Sequence, residues 1–160
     1  MPDERSALPS VQPRTDAGRT VAAFLRALEA RDLARAAALL APDARMTFPG
    51  GAAFRRLEDL VEWSRPRYRS VRKVFERFDE MERGGGRAVV YCTGTLHGQW
   101  PDGRPLAGVR YVDRFELIEG RIVEQQVWND VAEARASATP AGAALPASAA
   151  TPGGAALDQP

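Results

Sequence analysis

Hydrophobic and polar residues alternate most regularly between Gly108 and Asp130, in the stretch GVRYVDRFELIEGRIVEQQVWND. Val109, Tyr111, Asp113, Phe115 and Leu117 fall on one face of its first arm, and Arg110, Val112, Arg114 and Glu116 on the other, which is the period of a strand. Asp113 is the only charge on an otherwise apolar face. The stretch folds back as a hairpin, and its turn decides what opposes Asp113, because a one-residue slip exchanges the faces. Two registers compete. A two-residue Glu119-Gly120 turn prefers Asn or Asp before the glycine, whereas a three-residue Ile118-Glu119-Gly120 loop puts Gly120 where a left-handed conformation is needed and sets Arg114 across from Glu124. The second reading is adopted; it pairs Asp113 with Gln125, Tyr111 with Val127 and Val109 with Asn129.

Earlier in the chain the period lengthens. Val21, Phe24, Leu25 and Leu28 keep helical spacing and predict a helix from Asp16 to Arg31, with Thr15 or Asp16 as its N-cap. Asp32 caps a second short helix, Leu33 to Leu40, which Ala41-Pro42-Asp43 stops. Ala44 to Phe48 reads as a short strand closed by Pro49-Gly50-Gly51. A third helix is predicted from Phe54 to Ser64, with Leu57, Leu60 and Val61 as its stripe and Trp63 extending it. Val71 to Glu82 is expected as a strand with a bulge or a strongly bent one, since the adjacent Val74 and Phe75 break its alternation. Arg83-Gly84-Gly85-Gly86 turns into a strand from Arg87 to Trp100, and Trp100-Pro101-Asp102-Gly103 is a hairpin signal. This order predicts an α+β domain with helices on one face of a curved, mostly antiparallel sheet. Residues 1–14 read as a flexible arm, 15–136 as the domain, and 137–160, rich in Ala and Pro, as a disordered tail.

Composition narrows the function. The chain has 160 residues, 44% of them hydrophobic and 27% charged, with a net charge of +1, which fits one globular domain and gives no electrostatic reason for a nucleic-acid partner. No apolar run approaches the roughly 20 residues that span a bilayer, and MPDERSALPS lacks the apolar core of a signal peptide, so a cytoplasmic protein with no membrane partner is expected. Cys92 and His97 are the only residues of their types, which leaves no His/Cys cluster for a metal and no disulfide within the chain. Gly84-Gly85-Gly86 lacks the Lys-Ser/Thr of a phosphate loop, and no cofactor is expected. Lys73 is the only lysine.

The candidate chemistry centres on Asp113. A carboxylate on an apolar, partly desolvated face has a raised pKa and is suited to proton transfer near neutral pH. The alternative is a structural carboxylate hydrogen-bonded to Gln125, Tyr91 or a backbone amide. A three-residue loop at Pro101-Asp102-Gly103 pairs Trp100 with Arg104, which puts Tyr91 opposite Asp113 and His97 on the same face nearer the rim; a bulge at Gly94 or Gly98 would reverse that. Asp113, His97 and Tyr91 are thus the candidate catalytic residues. Phe24, Phe48, Trp63, Tyr111, Phe115, Gln125, Val127 and Asn129 are the expected lining of an apolar pocket, Asn129 being placed to orient a ligand carbonyl. Trp128 faces outward and suggests a homodimer through the outer sheet face.

The element order, together with LLAPDARMTFPGG near the front and DRFELIEGRIVEQQVWND near the end, resembles the nuclear transport factor 2-like superfamily and its SnoaL-like, polyketide cyclase-like group, over about residues 16 to 134. The resemblance implies a cone of sheet and helices around a cavity, a scaffold that serves enzymes and non-catalytic proteins alike. Against ketosteroid isomerases, Phe48 stands where the base carboxylate is expected and Phe24 where the tyrosine is, and only Asp113 matches. Against limonene-epoxide hydrolase, the catalytic aspartate of the last strand falls at Val127. Scytalone dehydratase works with histidine and tyrosine, and this chain has one histidine to offer. The expectation is a cofactor-independent lyase, isomerase or cyclase acting on a small apolar or carbonyl-containing molecule, the alternative a non-catalytic ligand-binding or accessory protein.

Overall fold

The computed structural model describes residues 10–138; what was expected of residues 1–9 and 139–160 lies outside them. The chain forms α1 (Asp16–Glu29), α2 (Leu33–Ala38), β1 (Leu40–Phe48), β2 (Ala52–Phe54), α3 (Leu57–Ser64), β3 (Ser70–Gly84), β4 (Arg87–Gln99), β5 (Pro105–Ile118), β6 (Arg121–Asn129) and α4 (Val131–Ala138). Thr15 caps α1 by accepting from Gly18 N at 3.0 Å, and Asp32 caps α2 by accepting from Arg35 N at 3.1 Å. The other end of α1 closes in a Schellman turn, with Asp32 N donating to Ala27 O at 2.9 Å and Arg31 N to Leu28 O at 3.1 Å. Arg31 takes the left-handed position of that turn, with φ 59°.

Six strands form one sheet in the order β2-β1-β6-β5-β4-β3. The β1–β6 pair is parallel and the rest are antiparallel. The α+β expectation therefore holds, with differences at the ends of elements. Leu40 opens β1 instead of closing α2, Phe54 belongs to β2 instead of the third helix, and Val131–Ala138 is helical where the tail was expected to begin at 137. Residues 10–14 are tied down, not loose. Val11 N donates to Phe75 O at 2.9 Å, Arg26 Nη2 reaches Ser10 Oγ at 3.3 Å, and Arg14 N donates to Glu80 Oε2 at 2.9 Å. No helix of the described residues is long and apolar enough to cross a membrane.

Three irregularities set which side chains face inward. The expected bulge in β3 falls between Phe75 and Arg77. The β5–β6 turn is the two-residue form, with Glu119 and Gly120 both at positive φ (48° and 75°) and Ile118 paired with Arg121. The pairs Leu117–Ile122 and Glu116–Glu124 then leave Val123 as an extra residue. Asp113 consequently opposes Val127, Phe115 opposes Gln125 and Tyr111 opposes Asn129, two positions from the expected register but on the expected faces. Arg114 and Glu124 still meet, at 3.0 Å, as a diagonal pair. At the β4–β5 turn the three-residue loop forms as expected, Trp100 N donating to Arg104 O at 2.9 Å. The bulge beyond it lies on β5: Gly98 pairs with Leu106 and Leu96 with Val109, and Gly108, at φ 69°, takes the left-handed conformation the extra residue requires. Cys92, not Tyr91, therefore opposes Asp113.

The core lies between the helices and the inner sheet face. Val21 and Phe24 of α1 are fully buried, and Phe24 meets Phe115 edge-to-face at 6.0 Å and 80°. Gly94 lies between Phe75 and Tyr111 in the same row, and its missing Cβ lets the β3 backbone approach: a Cβ there would sit 1.9 Å from Val74 O.

Candidate functional site

A cavity of about 290 Å³ opens between the C-terminal half of α1, α3, the segment leading into β3, and the sheet. Leu25, Leu28, Phe48, Leu60 and Val61 make it largely apolar, and its size suits a small molecule. Lys73, Gln125 and, at the start of β3, Ser70 bring polar groups to it from the sheet. Lys73 projects from β3 on the same parity as Val71 and Phe75, and Gln125 projects from β6. Ser64 and Tyr68 reach it from the end of α3 and the following turn.

Lys73 is the centre of the arrangement. Its Nζ donates to Asp113 Oδ2 and lies 4.0 Å from the centroid of the Tyr111 ring, and its side chain is 19% exposed. Asp113 is 0% exposed and does not line the cavity; Lys73 and Gln125 do. Burial raises the Asp113 pKa, while the Lys73 ammonium and the hydrogen bonds from Lys73 and Gln125 act in the other direction. The Gln125 bond is long, Nε2 to Oδ2 at 3.5 Å, and Asp113 Oδ1 and Gln125 Oε1 have no hydrogen-bond partner among the described residues. The carboxylate thus sits behind the lysine and acts on the cavity through it.

The neighbouring groups form a packed layer beneath. Tyr111 hydroxyl lies 3.4 Å from Cys92 Sγ and 3.5 Å from Val74 O, and burial raises its pKa far above the ordinary phenol value. Burial likewise pushes the Cys92 thiol up to about 11, which keeps it protonated and unreactive. Burial also raises the Tyr68 pKa, opposed by Arg31 and Arg67, so its hydroxyl is a neutral donor and acceptor at physiological pH. Among the described residues no group of three or more His, Cys, Asp and Glu side chains is placed to hold a metal ion.

The expected site residues separate into groups. Phe48 and Gln125 line the cavity; Phe24, Tyr111, Phe115 and Val127 are in the buried layer with Asp113. Trp63 packs edge-on to Phe48 at 5.5 Å and carries the Arg67 guanidinium 3.7 Å from its own ring centroid. Asn129 is not in the cavity: its Oδ1 accepts from Val131 N at 3.2 Å, at the start of α4. The parity change at Gly108 moves Tyr91 and His97 out as well. Tyr91 pairs with Arg114 on the outer face, and His97 Nε2 lies 3.0 Å from Thr95 Oγ1 on that face. The sequence reading passed over Lys73, whose signal was present: a lone lysine at an inward position between Val71 and Phe75. Ser64 continues the stripe of Leu57, Leu60 and Val61 but is polar, and Tyr68, beyond Pro66, carries no periodic signal.

Comparison with known proteins agrees with this fold. An NTF2-like protein of unknown function from Burkholderia pseudomallei shares 26% identity, with 75% of this chain and 95% of that one covered and a TM-score of 0.59. A SnoaL-like polyketide cyclase, so described as putative, from Jannaschia superposes with a TM-score of 0.61 at 21% identity, over 81% of this chain and 100% of that one. TerC, crystallised with polyporic acid, superposes with a TM-score of 0.62 at 15% identity over 76% of this chain and 97% of its own. No functionally curated protein matches the sequence. The family model for the SnoaL-like domain matches residues 21–125, which span both walls of the cavity, and the chain belongs to that family.

Proposed function

We propose that this protein binds a small, largely apolar carbonyl compound in the cavity and acts on it without a cofactor, as a lyase, isomerase or cyclase using acid–base chemistry. The supporting observation is the Lys73–Asp113 pair: the only lysine of the chain stands on the wall of an apolar cavity, held by a carboxylate that is itself 0% exposed. An ammonium in such a place hydrogen-bonds a carbonyl oxygen and stabilises the negative charge that develops there when Glu29, the one carboxylate among the residues lining the cavity, takes a proton from the neighbouring carbon. Asp113 is then a positioning residue and not the group that touches substrate. Gln125 and the neutral Tyr68 hydroxyl supply further donors on the cavity wall. A neighbour of the same fold was crystallised with polyporic acid, so the reading of a small organic ligand has a precedent in this fold.

The test begins with the small molecules released when the purified protein is denatured, identified by mass spectrometry. Lys73→Gln should reduce turnover of the identified compound by roughly 100-fold or more, the loss typical of removing one oxyanion donor, while binding changes by only a few-fold. Turnover by the variant at the wild-type rate would remove the proposal. The absence of any Asp113 surface in the cavity favours a second reading, in which Lys73 anchors a ligand that is carried and not converted; Lys73→Gln would then weaken binding, with no turnover by either protein. We also propose a homodimer through the outer sheet face, where Trp128 is 52% exposed.

A further inference from the structure

The mouth of the cavity carries charge that its interior does not use. Glu29 is engaged: its Oε2 accepts from Arg26 Nη1 at 2.9 Å and from Lys73 N at 3.3 Å. Lys73 is engaged by Asp113. Arg31 and Arg69 also line the cavity, and neither has an ion-pair partner among the described residues. The mouth is therefore net cationic around an apolar interior.

Arg31 adds an independent observation. It sits at the left-handed position that closes the Schellman turn of α1, with φ 59°. Glycine is the usual residue there, because a Cβ in that conformation crowds the following carbonyl oxygen. Helix termination alone therefore favours glycine at 31. The residue present has instead a long cationic side chain that lines the cavity and lies close enough to Tyr68 to oppose the rise of its pKa. A strained residue whose side chain reaches a pocket is an indication of function.

We infer that the ligand is an amphipathic organic anion, its apolar body in the cavity and its carboxylate held at the mouth by Arg31 and Arg69. The inference rests on the cavity reading above and narrows it to a substrate class. A guanidinium matches a carboxylate in two parallel hydrogen bonds, and at a partly exposed mouth that pairing discriminates between an anion and its neutral isostere. Apolar contact with Leu28, Phe48 and Leu60 holds either one.

The probes are 2-naphthoate and its neutral isostere 2-naphthamide, titrated calorimetrically into the full chain. Naphthoate should bind roughly tenfold more tightly than naphthamide, a difference of one charge-assisted pairing. Arg31→Gly and Arg69→Gln should each remove most of that preference while changing naphthamide affinity by less than about twofold. Arg31→Gly should also leave the melting temperature unchanged or raised, because it relieves the left-handed strain. Equal binding of the two probes would overturn the anion assignment while leaving the proposed function standing. A preference that survives both arginine substitutions but disappears in Lys73→Gln would place the anion inside the cavity and overturn the mouth assignment. A lower melting temperature for Arg31→Gly with naphthoate binding intact would make Arg31 a structural residue and refute the inference. Failure of both probes to bind at millimolar concentration would count against the cavity reading and this inference together.

Discussion

Replacing Lys73 by Met perturbs the central pair with little change in shape. Methionine keeps much of the length of the stem and its contact over the Tyr111 ring, and it removes the ammonium. Asp113 is then a carboxyl at 0% exposure whose remaining hydrogen bond is the 3.5 Å contact from Gln125. Breaking a buried pair from one side costs about 3–5 kcal/mol while the surviving charge stays ionised. A carboxyl escapes part of that cost by taking up a proton. Burial already raises the Asp113 pKa with Lys73 in place, and losing the principal opposing influence raises it further. The folded-state pKa therefore lies above the unfolded value near 3.8, the folded state holds the extra proton between the two, and stability falls as pH rises through that window. The slope is at most about 1.4 kcal/mol per pH unit. Lys73→Met should be about 3 kcal/mol less stable than wild type at pH 8 and clearly closer to it at pH 5. Urea unfolding followed by tryptophan fluorescence reads both values, since Trp100 is buried and exposed on unfolding. A second substitution, Asp113→Val, should recover most of the loss at pH 8, because it removes the stranded carboxyl. A difference that is the same at both pH values, or a double variant no more stable than Lys73→Met, would refute the coupling.

Two further outcomes follow from packing. Gly94→Ala should destabilise the fold by about 3 kcal/mol, because the new methyl meets strand backbone and not a flexible side-chain end; a melting temperature within a degree of wild type would show that β3 moves aside easily. Trp128→Glu should convert the proposed dimer to monomer with the melting temperature of the monomer unchanged, as read by sedimentation velocity; a wild-type protein that is already monomeric at micromolar concentration would end the proposal.

Local chemistry made much of the fold legible. The period-3.6 stripe of α1, the caps at Thr15 and Asp32, the alternation of β5 and the bulge after Phe75 are all dictated by residues within a few positions of one another. So is the inward orientation of Asp113, which depends only on its alternation with Tyr111 and Phe115. The hairpin shows how far local reading extends. The two-residue turn at Glu119-Gly120 displaces the register by one from the three-residue reading, and the extra residue Val123 displaces it by one more, so the faces agree while every partner is shifted. Val123 carries no local mark of a bulge. Its place is decided by how β6 must bend to pair with β5 on one side and β1 on the other.

The site itself was decided in three dimensions. A single left-handed residue, Gly108, reversed the parity of β4 relative to β5, sending Tyr91 and His97 outward and bringing Cys92 opposite Asp113. The sequence showed an inward Asp113 and, 40 positions earlier, the only lysine, but not that they meet. Lys73 pairs with Leu96 and Asp113 with Cys92, so they stand in different rows of the sheet, and only the length of the lysine stem, laid across Tyr111, brings the charges together. Alternation determines the face on which a side chain stands because it follows from the geometry of one strand. Which groups meet on that face depends on register, bulges and side-chain reach across several strands, and those are fixed only when the whole sheet packs against its helices.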